Sequence, residues 1–272
     1  MPRMGSRFSP WTRWRRRRQA RRLRALHISY RFWHNGISEL RACDHLDGNQ
    51  RRRLRVLCGA FLAGTRCVGA RRFPVDDRMR LLIAILACVP VLELGLDWLR
   101  GVREVVIYPG TFLVNREAHD EAGVVHREQR EMAGEAWERG PVILSWGDFV
   151  RDAAVHGLDE GLVLHEFVHK LDMLSGEANG RPPLPRDMSG GEWEQAFASA
   201  FRALSAAVNR GEDTVLDPYG SESPAEFFSV CSEAFFLRPQ TLQAHVPEVY
   251  AQLYRFYRQD PAGVFSACIG GR

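Results

Sequence analysis

The chain has 272 residues, 45% of them hydrophobic and 26% charged, with a formal net charge of +4. That is ordinary globular composition, long enough to bury a core without disulfide or metal staples, and it excludes a disordered polyelectrolyte. Six cysteines are scattered, and none forms C-x-x-C, so neither a thiolate zinc site nor a redox pair is indicated, which fits reduced thiols in a cytoplasmic protein.

The charge is unevenly placed. Residues 1–25 hold ten arginines and no acid, so removing them from the net +4 leaves −6 for the rest. This stretch has no apolar run and is not a secretory signal. It reads as a solvated basic arm; contact with nucleic acid or anionic membrane is the other use of such a segment. Residues 26–272 then read as one domain, with a helical N-terminal part (26–100) and a core carrying the chemistry (101–272).

Ile28 to Ala70 reads as helical, with Asp47 capping a helix that carries Leu54, Leu57 and Phe61. Pro74 to Asp77 introduces a second helix from Arg78 to about Val89, a buried run too short to span a bilayer. Glu104 to Val114 reads as two strands about a Pro-Gly turn, Asn115 to Arg139 as a polar surface loop with short regular pieces. Gly140 to Trp146 is a further strand, and Pro141 at its start suits an edge position, open to extended substrate backbone.

Residues 160–172 read E-G-L-V-L-H-E-F-V-H-K-L-D and hold the chain's H-E-x-x-H pattern. Residues four apart share a helix face, so His165 and His169 can offer imidazole nitrogens to one metal ion. Glu166 follows the first histidine, the place of the carboxylate that takes a proton from metal-bound water in zinc peptidases. The competing reading is two core histidines with ordinary hydrogen bonds. Asp172, one turn on, either orients a histidine or ends the helix in solvent.

A catalytic zinc takes three protein ligands. The extended pattern with a third histidine fails, because Asp172 and Ser175 stand where glycine and histidine are needed. A downstream helix opened by Ser223 and Pro224 offers Glu226 and Glu233, seven apart and on one face. Each has an ordinary alternative: Ser223-x-x-Glu226 is a capping box, and Glu233 can face solvent. Spacing leaves the choice open, although the ~10 Å between them along the helix means that only one can reach the ion.

These stretches, together with Pro90-Val91-Leu92-Glu93-Leu94-Gly95-Leu96-Asp97-Trp98-Leu99, Glu104 to Pro109, Gly140 to Leu144 and Pro224-Ala225-Glu226, resemble the Mlc titration factor A family of zinc-dependent peptidases. The resemblance runs from about Trp33 to Asp260. It implies an α+β, gluzincin-like fold with a small sheet beside the metal-binding helix and a helical N-terminal part. It further implies one Zn2+ per chain held by His165, His169 and Glu226, with Glu166 as catalytic base, and Tyr219 matches a family tyrosine that would donate to the oxyanion. A metallopeptidase, of aminopeptidase or endopeptidase type, is the function expected. The alternative is a regulatory protein that sequesters an Mlc-like transcriptional repressor, with hydrolysis incidental. The arginine arm departs from the family pattern and inherits nothing from it.

Overall fold

Side-chain caps set the boundaries of the first helices. The structure, a computed structural model, describes residues 28–119, 125–132, 134–136, 140–151 and 157–263, so the arginine arm and Cys268 lie outside the described residues. Ser29 accepts from the Phe32 N–H and opens α1 (Tyr30–Ile37). Asp47 and Gln50 form a full capping box on α2 (Gly48–Gly64), and Asp76 caps α3 (Asp77–Cys88). From Leu81 to Val89 every residue of α3 and its exit is buried. Such an all-round apolar helix belongs inside the core, and α3 packs against α1, α2 and the helix bearing the H-E-x-x-H pattern.

The helical reading of Ile28–Ala70 fails at its end. Arg66–Gly69 is a strand, β1, paired in parallel with β2 (Glu104–Tyr108). β-branched Val68 and half-buried Cys67 suit a strand, and Thr65 ends α2 with extended backbone. The sheet therefore begins in the part of the chain read as purely helical.

The Asn115–Arg139 loop is also corrected. β3 (Phe112–His119) and β4 (Val125–Met132) form an antiparallel hairpin in register from Phe112↔Met132 to His119↔Val125, followed by β5 (Gly134–Ala136). The main sheet has the order β1-β2-β6-β5, where β6 is Val142–Ser145. β6 runs parallel to β2 and antiparallel to β5. It is an inner strand and not the expected edge: Pro141 precedes the first paired residue, so its missing N–H costs the ladder nothing. Among the described residues the edge on this side is β5.

After the short α4 (Trp146–Val150) comes α5 (Glu160–Asp172), which lies against β5 and β6 on one side. On the other side it packs on α7 (Pro224–Leu237), which follows α6 (Gly190–Asn209). α8 (Pro239–His245) and α9 (Pro247–Tyr257) follow. Trp193, Phe197, Phe228 and Phe256 interlock edge-on and stacked at centroid distances of 4.2–6.1 Å, clamping α6, α7 and α9 together. Each such ring contributes about 1.5–3 kcal/mol by leaving water. The molecule is an α+β protein, and among the described residues no helix is long and apolar enough to cross a membrane.

Candidate metal centre

α5 is fixed at both ends before its histidines matter. Asp159 caps it through the Leu162 N–H, and Glu160 reaches away to accept from the Arg41 and Ala42 N–H groups at 2.8 and 2.9 Å. Burial pushes the Glu160 pKa up, against the pull of those two donors. Lys170, the chain's only lysine, is 5% exposed and donates to the Gly140 carbonyl at 3.3 Å, tying α5 to the approach of β6. Asp172 does not end the helix in solvent. It is fully buried, and its Oδ2 accepts from the Gly180 N–H at 2.7 Å, anchoring the loop after α5.

With Val163, Leu164, Phe167, Val168 and Leu171 in the core, His165 and His169 share one face and meet with their Nε2 atoms 3.0 Å apart. Glu226 Oε2 completes the triangle, 2.8 Å from His165 Nε2 and 3.2 Å from His169 Nε2. Ser223 does cap α7, accepting from the Glu226 N–H at 3.2 Å, but the Glu226 carboxylate turns to the histidines.

The rest of the same α7 face holds the rings from behind. Glu233 Oε1 lies 2.6 Å from His165 Nδ1, and Ser229 Oγ lies 3.4 Å from His169 Nδ1. Glu226, Ser229 and Glu233 fall at helical spacings of three and four, so one face of α7 touches both edges of the histidine pair. The two glutamates that spacing left open are thus separated by ring edge: Glu226 at Nε2, Glu233 at Nδ1. Gly161 makes the second approach possible, since a Cβ there would stand 2.7 Å from Glu233 Oε2.

Glu166 points to the sheet side. It is 5% exposed, and β5 passes so close that a Cβ on Gly134 would lie 2.4 Å from Glu166 Oε1. Tyr219 sits in a 3-10 turn (Pro218–Ser221) capped by Asp217, 40% exposed, with its ring centroid 5.8 Å from that of His165. Of the residues singled out by the sequence, His165, His169 and Glu226 meet at one point, the Tyr219 ring adjoins His165, Glu233 lies behind the His165 ring and Glu166 faces β5. Ser229, Gly134 and Gly161 were missed. Ser229 had a signal, its position on the Glu226–Glu233 face; nothing in the sequence near Gly134 or Gly161 marks what packs on them.

Electrostatics shows what this cluster is short of. Burial works against a charge on His165, yet the flanking Glu226 and Glu233 outweigh it and push its pKa up to about 10. Burial likewise works against a Glu226 anion, and the two histidines hold its pKa well below the usual carboxylate range. The carboxylates on the two edges of His165 favour positive charge in the cluster. His165, His169 and Glu226 can present three ligand atoms within 4.8 Å of one another. A tetrahedral ion at 2.0–2.1 Å from each would hold them about 3.4 Å apart, so the side chains need open by only a few tenths of an ångström. The donor set fits a metal.

Two imidazoles and a carboxylate on packed helices beside a sheet are the donor set of a metal-binding protein. The family model described as glucose-regulated metallo-peptidase M90 matches residues 11–258. The chain is 36% identical over 245 residues to Mlc titration factor A of Pectobacterium atrosepticum, covering 84% of this chain and 91% of that protein. It is 37% identical over 222 residues to Mlc titration factor A of Salmonella agona, covering 80% and 82%. The chain belongs to the M90 metallo-peptidase family, with the Mlc titration factor A proteins as its relatives. The match begins at Trp11, earlier than the Trp33 start of the resemblance read from the sequence, and so reaches into the arginine-rich stretch.

Proposed function

We propose that the chain is a zinc-dependent, gluzincin-like peptidase in which His165, His169 and Glu226 hold one Zn2+, Glu166 is the general base and Tyr219 an oxyanion donor. The observation that carries this is the convergence of the three ligand atoms with Glu166 buried beside them. Zinc, when bound, supplies Lewis-acid polarisation of a carbonyl and an acidified water. The Glu166 carboxylate accepts a proton and returns it to the leaving amine. Its burial under Gly134 fixes where that proton is held. Glu233 and Ser229 fix the imidazole rings, as partners of ligand histidines do. The Tyr219 hydroxyl serves the developing oxyanion from the more exposed side. Among the described residues β5 is the outer strand on this side of the sheet, an edge on which an extended peptide can lie.

The test is Glu166→Gln, assayed for metal content and for cleavage of a peptide library. Retained zinc with turnover lowered by about 10²–10⁴-fold is expected. Near wild-type turnover would overturn the base assignment. A second reading rests on the printed name of the relatives, Mlc titration factor A: binding of an Mlc-like repressor, for which Glu166→Gln should be silent. Five described cysteines are unpaired, and we place the protein in a reducing cytoplasm.

A further inference from the structure

Gly180 is the point where three helices meet. Its N–H donates to Asp172 Oδ2 at 2.7 Å, at the end of α5, and its carbonyl accepts from the Trp193 indole N–H of α6 at 3.1 Å. Its bare Cα faces the start of α7, where a Cβ would lie 2.4 Å from the Pro224 carbonyl oxygen. The backbone stands at φ +77°, a conformation that glycine takes without strain. Gly180 and Asp172 are both buried. Asp172 Oδ1 has no hydrogen-bond partner among the described residues. A buried carboxyl left half-satisfied costs stability, which points to a role other than stability for the bond it makes.

This junction bears on the metal centre through Glu226. Both histidines ride on α5, and Glu226 sits in the first turn of α7, two residues after Pro224. Helix ends fray, so the place of a first-turn side chain depends on what holds the turn. Here the Ser223 cap holds it from within α7, and Gly180 abuts it from outside. We infer that Asp172 and Gly180 are positioning residues for the third metal ligand: together they set how far the Glu226 carboxylate stands from the two imidazoles. The inference rests on the ligand set proposed above. Glu233, two turns further along α7, is held by the body of the helix and lies outside this control.

The experiment loads the full chain with Co2+, whose visible absorption reports its ligands, and reads zinc affinity by competition with a chromophoric chelator. Gly180→Ala sets a Cβ against the Pro224 carbonyl. The Co2+ spectrum should change and zinc affinity should fall by about 10- to 100-fold, the scale of losing a partner behind a ligand. Gly176→Ala is the control. It lies in the same loop at φ +135° with nothing within 4 Å of its Cβ, so it brings backbone strain without the contact and should leave both readings at wild-type values. If Gly180→Ala does not fold, the pair Asp172→Ala and Asp172→Asn replaces it. Alanine removes the acceptor and should change the spectrum; asparagine keeps an oxygen that accepts from the Gly180 N–H and should restore it. A wild-type spectrum and affinity in Gly180→Ala or Asp172→Ala, an equal change in Gly176→Ala, or no rescue by asparagine would overturn the inference and leave the ligand set standing. A wild-type chain that takes up no Co2+, or a spectrum unmoved by Glu226→Gln, would overturn the ligand set and the inference with it.

Discussion

The two flanks of α5 are built from opposite materials. Toward α7, atoms are supplied: Glu226, Ser229 and Glu233 each place an oxygen on a histidine ring. Toward β5, an atom is withheld: Gly134 leaves the space that Glu166 fills. The first flank assembles a charge-binding centre, while the second gives one carboxylate a single position. A site of this kind needs both, and the two should fail differently when altered.

The largest effect should come from the first flank. Glu226→Gln removes the anionic oxygen at the Nε2 edges and should weaken zinc binding by orders of magnitude, read by competition with a chromophoric chelator. If zinc is lost from Glu233→Gln instead, the division between the two ring edges is wrong. On the second flank, Gly134→Ala sets a Cβ where Glu166 Oε1 now lies. A displaced base should lower kcat by about 100-fold, the cost of a misplacement near 1 Å, with metal content unchanged. Loss of zinc in this variant would show that the flanks are not independent.

Glu233→Gln sharpens the contrast within the first flank. It keeps a hydrogen-bonding group at His165 Nδ1 and removes only the charge, so zinc affinity should fall by about tenfold. The smallest effect concerns pH and the metal-free protein. Here the His165 pKa, ordinarily 6.5, stands at about 10, so its contribution to stability is full below pH 6.5 and is lost as pH rises toward 10. Glu226 is depressed from its ordinary 4.5, so its contribution is present above that pH and is lost on acidification. The melting temperature of chelator-stripped protein should therefore peak between pH 4.5 and 6.5 and fall by a few degrees on either side. A melting temperature rising steadily from pH 6 to 9 would contradict the raised His165 pKa.

What was legible in the sequence follows the same division. His165, Glu166 and His169 are readable because a helix turns a spacing of four into proximity, and Glu226 and Glu233 because seven residues return to the same face. The choice between them needs the position of α7 against α5, which spacing does not carry. β1 was hidden because four residues are too few for a period, and the inner place of β6 because strand order is a long-range property. Gly134 was illegible for a different reason: its role is the absence of a Cβ opposite a residue 32 positions away.

One side chain gives the folded state a chemical tag of its own. Lys170 is the chain's only ε-amine, and it lies buried in the helix that carries both histidines. An amine-selective dye therefore finds the native protein almost blank apart from its terminal amine. A second dye per molecule counts the chains in which α5 has come away from the sheet, a direct census of opening at the metal-binding helix.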